Sequence, residues 1–191
     1  MQATDVLSSE HRVIERVLVS LEQAIDAVEA GASVRPGFFL DAADFIRGFA
    51  DGCHHLKEEN VLFTTMSEHG VPVEGGPIGV MLNEHELGRK FTREMRAGAE
   101  RWAAGESVGS DAVVTAARNY VLLLQQHIAK EDQILFPMAG RVIPAAKHEE
   151  VWEAFERVEH EETGEGVHEK YLGIAEALEK EASALASQIS A

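Results

Sequence analysis

Residues 54–63, HHLKEENVLF, and residues 127–136, HIAKEDQILF, align without a gap although 73 positions separate their first histidines. Histidine, lysine, glutamate, a second acid, an amide, an aliphatic residue, leucine and phenylalanine recur at matching places. Each block holds a histidine and a glutamate four residues apart. On an α-helix that spacing puts imidazole and carboxylate on one face, about 6 Å apart along the axis. Both pairs fall among aliphatic and aromatic residues, and burying such groups is costly unless they pair or coordinate. The chain must therefore bring several helices together around a shared polar centre.

Apolar residues recur at helical spacing along almost the whole chain, with glycine and proline between the periodic runs. In the first run Leu7, His11, Ile14, Leu18, Leu21, Ile25 and Val28 follow steps of three and four, and Gly31 ends it. A second, roughly 37–68, carries Phe38, Phe45, Phe49, Leu56 and Phe63, then gives way to the loop HGVPVEGGP. A third, roughly 78–104, passes through Ile78, Leu82, His85, Met95 and Trp102 to Gly105. The fourth is expected to start at the capping pair Ser110 and Asp111 and to run through Tyr120, Leu124, His127, Glu131 and Leu135 to Pro137. The fold class is all-α. Residues 1–140 are expected to form an up-down-up-down four-helix bundle, and residues 141–191 a C-terminal extension of one or two helices, broken near Gly164 and Gly166. The extension is expected to pack outside the bundle but on the same domain.

Acids outnumber lysine and arginine by 33 to 17, a net charge of -16. Such a charge repels phosphate backbones and anionic lipid heads, which argues against nucleic acid and membrane partners. The start, MQATDVLSSEHRV, has neither a basic leader nor an apolar core, and no apolar run approaches the ~20 residues that cross a bilayer. A cytoplasmic location is expected. The single cysteine, Cys53, cannot form an internal disulfide and reads as a small buried hydrophobe.

His11 and His85 each sit alone on an apolar stripe, and His11 precedes His54 by 43 residues as His85 precedes His127 by 42. Each half of the chain thus offers one lone histidine and one HxxxE pair. Four imidazoles and two carboxylates suffice for two metal ions sharing both carboxylates. Thiolates are too scarce for a structural zinc site, and calcium or magnesium would call for oxygen donors, so the donor set points to iron or manganese.

Four motifs, SSEHRVIERVL, CHHLKEENVLF, MLNEHELGRKF and HIAKEDQILFP, occur in that order on four successive helices. Over residues 5 to about 138 they resemble the hemerythrin-like (HHE cation-binding) family. The resemblance implies a non-haem di-iron centre inside a four-helix bundle, bridged by two carboxylates and an oxygen. It assigns His11, His54, Glu58, His85, His127 and Glu131 as ligands of the two iron ions. The oxygen-carrying hemerythrins have a histidine one helical turn before the position of His85, where this chain has Met81. One iron is thereby expected to lack a ligand, a departure from simple oxygen carriage.

The register of CHH is not settled by the motif. Phe63 stands nine residues after His54, as Phe136 does after His127, which favours His54 with Glu58. An unbroken helix would instead continue the His54 face through Asp51, Arg47 and Asp44, unless a kink or bulge near Gly48–Gly52 resets the phase. His55, Glu59, Asp132, Met81, His160 and His168 are supporting or alternative ligands, and His69 and His148 read as surface residues. The expected function is binding of dioxygen or a related small ligand, peroxide or nitric oxide, for oxygen sensing, storage or a redox response. The alternatives are an enzyme that consumes peroxide or nitric oxide, and iron storage or delivery, which a buried site disfavours; a reductase is the expected protein partner.

Overall fold

The computed structural model describes residues 3–164 and 166–189, apart from the side chains of 161–163. Six helices account for the described residues, and no strand occurs among them. Helix α1 spans Ala3–Glu29. Helix α2, residues 36–68, begins with Pro36 at its first position and alternates α- and π-helical turns, the latter over Ile46–His55 and Glu58–Leu62. Helix α3 spans Pro77–Ala103. Helix α4, residues 108–142, contains a π-helical stretch at Glu131–Leu135. Helices α5, residues 148–163, and α6, Val167–Ile189, follow a short turn at Ala145–Lys147.

Gly31 and Gly105 lie just past the ends of α1 and α3 with φ of +77° and +88°, the left-handed conformation that glycine adopts without cost. The start of α4 differs from expectation. It begins at Val108, ahead of Ser110 and Asp111, and no side chain caps it. Tight docking decides this: a Cβ on Gly109 would stand 2.4 Å from the backbone nitrogen of Trp102, so the turn closes directly against α3.

Helices α1 to α4 form the bundle, with α3 against α4, α2 against α3 and α1 against α4. Helix α6 is more than an outer layer. It packs on α1 and α2, and its Ala175, Leu178, Ala182 and Leu185 join the main core around Leu18, Phe38, Phe45 and Phe49. Helix α5 contributes Val151 and Phe155 to a second apolar cluster with Leu7, Leu62, Phe63, Met81, Leu135 and Phe136. Burying each such side chain is worth roughly 1.5–3 kcal/mol, and the two clusters clamp the bundle above and below one intervening layer. No helix among the described residues is long and apolar enough to cross a membrane.

The bulge expected near Gly48 is present as the π-helical turn over Ile46–His55. Adjacent residues are about 100° apart on an α-helix, and the wider π-turn brings them closer in direction. His54 and His55 both turn inward as a result, and both are buried. Gly48 also leaves room for α6, because a Cβ there would lie 1.8 Å from the hydroxyl oxygen of Tyr171 and 1.9 Å from a ring carbon. We expect Gly48→Ala to cost about 1–3 kcal/mol by forcing atoms into a packed interface, measured as a lower denaturant midpoint. Combined with Tyr171→Ala, it should cost less than the sum of the two single losses.

Candidate metal centre

The layer between the clusters gathers the imidazoles of His11, His54, His55, His85 and His127 with the carboxylates of Glu58 and Glu131, all of them buried. Two groups form, each with its ligand atoms within 4.8 Å of one another: His11, His54, Glu58 and Glu131, and His55, Glu58, His85 and His127. Glu58 serves both. Its Oε1 stands 3.5 Å from His54 Nε2 and its Oε2 3.4 Å from His85 Nε2. Glu131 repeats this, with Oε2 3.2 Å from His11 Nε2 and Oε1 3.2 Å from His127 Nε2.

Each Nδ1 donates outward to a carboxylate. His11 donates to Asp132 (2.9 Å), His54 to Glu10 (2.9 Å), His55 to Asp51 (3.4 Å), His85 to Glu59 (2.7 Å) and His127 to Glu84 (2.8 Å). These bonds set the tautomer, so each Nε2 presents its lone pair to the interior. Lys57 lies 2.5 Å from Glu10, and Lys130 pairs with Glu84 in the same way. Phe136 stacks on His11 at 5.3 Å and Phe63 on His85 at 5.9 Å, which accounts for the phenylalanine that ends both repeats. The helices thus support one another in a ring: α1 steadies the histidine of α2, α2 that of α3, α3 that of α4, and α4 that of α1.

The inner atoms lack partners. His11 Nε2, His55 Nε2 and all four oxygens of Glu58 and Glu131 are buried without a hydrogen bond. His85 Nε2 and His127 Nε2 face each other at 3.0 Å, so a proton or a metal cation has to lie between two lone pairs. Leaving several such groups unsatisfied would cost about 1–3 kcal/mol each, and more for the charged ones. Cations in the layer would satisfy all of them, and the residues present fit a pair of metal ions.

Without metal, protons take over that role. For His127, burial opposes charging but Glu131, then Glu84 and Glu58, outweigh it and raise the pKa to about 10. His11 and His85 are raised as well, against burial, chiefly by Glu131 and Glu58 respectively. Glu131 is held far below the ordinary carboxylate range, because His127 and His11 overcome the opposing effect of burial. His55 moves the other way: burial first, then the charges on His85, His54 and His127, keep it neutral, the form that ligates.

The remaining residues expected from the sequence lie elsewhere or play a different part. Glu59 and Asp132 orient His85 and His11 from outside. Met81 is buried in the lower apolar cluster, and on the second group's side of the layer His55 supplies an imidazole, stacked on His85 at 3.8 Å. His160 is exposed, 3.7 Å from Glu156. His168 joins Glu10, Cys53 and Glu159 in a third cluster, but the ammonium of Lys57 already pairs with both of its carboxylates, 2.5 Å from Glu10 and 2.9 Å from Glu159. His69 bonds the Thr65 carbonyl at the end of α2. Sequence reasoning missed Glu10, Asp51 and Glu84. Two of them had a signal, the matching Glu-His pairs at 10–11 and 84–85.

Residues 2–139 match the hemerythrin HHE cation binding domain, and the chain belongs to that family. It is also similar to uncharacterized proteins of Mycobacterium tuberculosis and Mycobacterium bovis, 25% identical over 178 residues, which span 93% of this chain and 69% of each relative. No solved structure gave a significant match.

The proton balance sets opposite pH dependences for the two forms. In the metal-free chain His127 titrates near 10 when folded and near 6.5 when unfolded, so the folded state holds the extra proton and stability should fall as pH rises from about 6.5 towards 10. With metal on the histidines only the unfolded state takes up protons, and stability should instead fall as pH drops below about 6.5. Melting temperatures of both forms between pH 5 and 10 check the two signs.

Proposed function

We propose that the chain is a non-haem di-iron protein that binds dioxygen or a related small ligand, in oxygen sensing or storage or in a redox response. His11 and His54 would hold one ion, His55, His85 and His127 the other, and Glu58 and Glu131 would serve both. The observation that carries this reading is that each of the two carboxylates turns one unpaired oxygen to each imidazole group. An all-nitrogen and oxygen donor set without thiolate suits iron over a structural zinc. Bound iron would supply one-electron exchange and a place for dioxygen, peroxide or nitric oxide. The protein's own part is to fix the imidazoles through the outer carboxylates and to exclude bulk water with the apolar clusters above and below. An enzyme that consumes peroxide or nitric oxide is the second reading, favoured by a cavity that opens onto His55. A reductase and a cytoplasmic setting belong to the same proposal.

Metal analysis after iron-replete expression should find two irons per chain. Glu58→Ala or Glu131→Ala should abolish the pair, and His54→Ala or His55→Ala should leave at most one ion. Glu10→Ala or Glu84→Ala should weaken affinity about 10 to 100-fold, the usual effect of losing a group that orients a ligand, yet keep two ions at saturating metal. One tightly held zinc and no iron would overturn the assignment. Visible absorption during cycles of anaerobic reduction and air exposure separates the readings. Repeated reversible binding supports the carrier or sensor, and irreversible oxidation with peroxide or nitric oxide turnover supports the enzyme.

A further inference from the structure

A cavity of about 330 Å³ opens between α2 and α3, with Tyr120 of α4 and the metal-facing His55 among its lining residues. Its charge runs against that of the molecule. In a chain of net charge -16, four arginines line this one cavity, Arg47, Arg89, Arg93 and Arg96, with Asp51 the one acid among the lining residues. Arg89 is committed to Asp51, Glu59 and Glu86 at 2.6–2.7 Å. Arg47 and Arg93 have no carboxylate partner among the described residues. Arg96 Nη2 is buried without a hydrogen bond, its closest acid Asp44 lying 3.6 Å away.

Tyr120 supplies the second, independent observation. Its hydroxyl is buried with no hydrogen-bond partner, on a residue only 1% exposed. An unpaired buried hydroxyl is costly, and on a residue that lines a cavity it marks a place for an acceptor. Dioxygen and nitric oxide are neutral and would use neither arginines nor a donor hydroxyl of this kind. A carboxylate would use both, since guanidinium groups match its two oxygens in a planar fork. The ring of Tyr120 and the side chain of Ile46 offer apolar surface for the rest of a small organic molecule.

We propose that this cavity binds a small organic carboxylate, its anionic end held by Arg93, Arg96 and the Tyr120 hydroxyl and its body lying towards His55. The binding rests on the arginines and the tyrosine alone. Its closeness to a metal rests on the di-iron reading above.

Calorimetric titration of the full-length, iron-loaded protein with benzoate, acetate and inorganic phosphate tests it, with iron content measured on the same samples. Benzoate should bind saturably and more tightly than phosphate. Arg93→Gln, at an exposed position, and Arg96→Gln should each weaken benzoate at least tenfold. Tyr120→Phe should weaken it several-fold while leaving the melting temperature unchanged or higher, because the hydroxyl has no partner in the free protein. A purely structural role for Tyr120 would lower the melting temperature and leave benzoate affinity alone. No saturable benzoate binding by protein that carries two irons would overturn the cavity assignment and leave the di-iron reading intact. Phosphate binding without benzoate binding would overturn the organic part and make this a site for inorganic anions. Benzoate binding by protein that retains no iron would uphold the cavity and sink the di-iron reading. Fluorobenzoate relaxation faster in the iron-loaded than in the metal-free protein would place the body beside the metals, and equal rates would remove it from them.

Discussion

Two carboxylates that no hydrogen bond satisfies organise this molecule. Glu58 and Glu131 are fully buried at the middle of the bundle, each with an oxygen turned to either side. A buried carboxylate with no partner is among the most expensive groups a fold can hold, so everything around it serves to supply positive charge. In the metal-free molecule that charge comes from protons on the imidazoles, which these carboxylates favour at His11 and at the facing pair His85 and His127. The same lone pairs and oxygens are arranged to accept cations in their place, which ties metal uptake to proton release.

Rigidity at the centre comes from outside it. Five outer carboxylates hold five imidazole rings by Nδ1, and on one side a buried lysine backs the carboxylate in turn. The arrangement repeats almost in full between the two halves, down to the phenylalanine floors under His11 and His85. It is broken in two places. Lys57 is fully buried beneath α5, where Glu159 reaches it, whereas its counterpart Lys130 is about one-third exposed. His55 and Asp51 have no equivalents in the second half, which offers Ile128 and Leu124 at the aligned positions. The cavity with its four arginines opens on that same asymmetric side. A pseudo-symmetric scaffold thus holds the centre, and the departures from symmetry coincide with the side on which the cavity opens.

The all-α class, the helix limits to within a few residues, and the histidines and glutamates of the central layer follow from the sequence by itself. The reason is local: apolar residues at steps of three and four declare the helices, and polar residues on that stripe declare a buried centre. Met81, Glu10 and the register of His54 and His55 were not decided at that level. Which of two adjacent histidines faces inward depends on one π-helical turn, and that turn is matched to the packing of Tyr171 from a helix more than a hundred residues away. Which imidazole each outer carboxylate holds is also beyond local reading, because Glu10, Glu59, Glu84 and Asp132 each act on a neighbouring helix and helical phase says nothing about which helix will be the neighbour. The burial of Lys57 under α5 and the entry of α6 into the main core were likewise decided only when the helices came together, since both depend on contacts between distant parts of the chain.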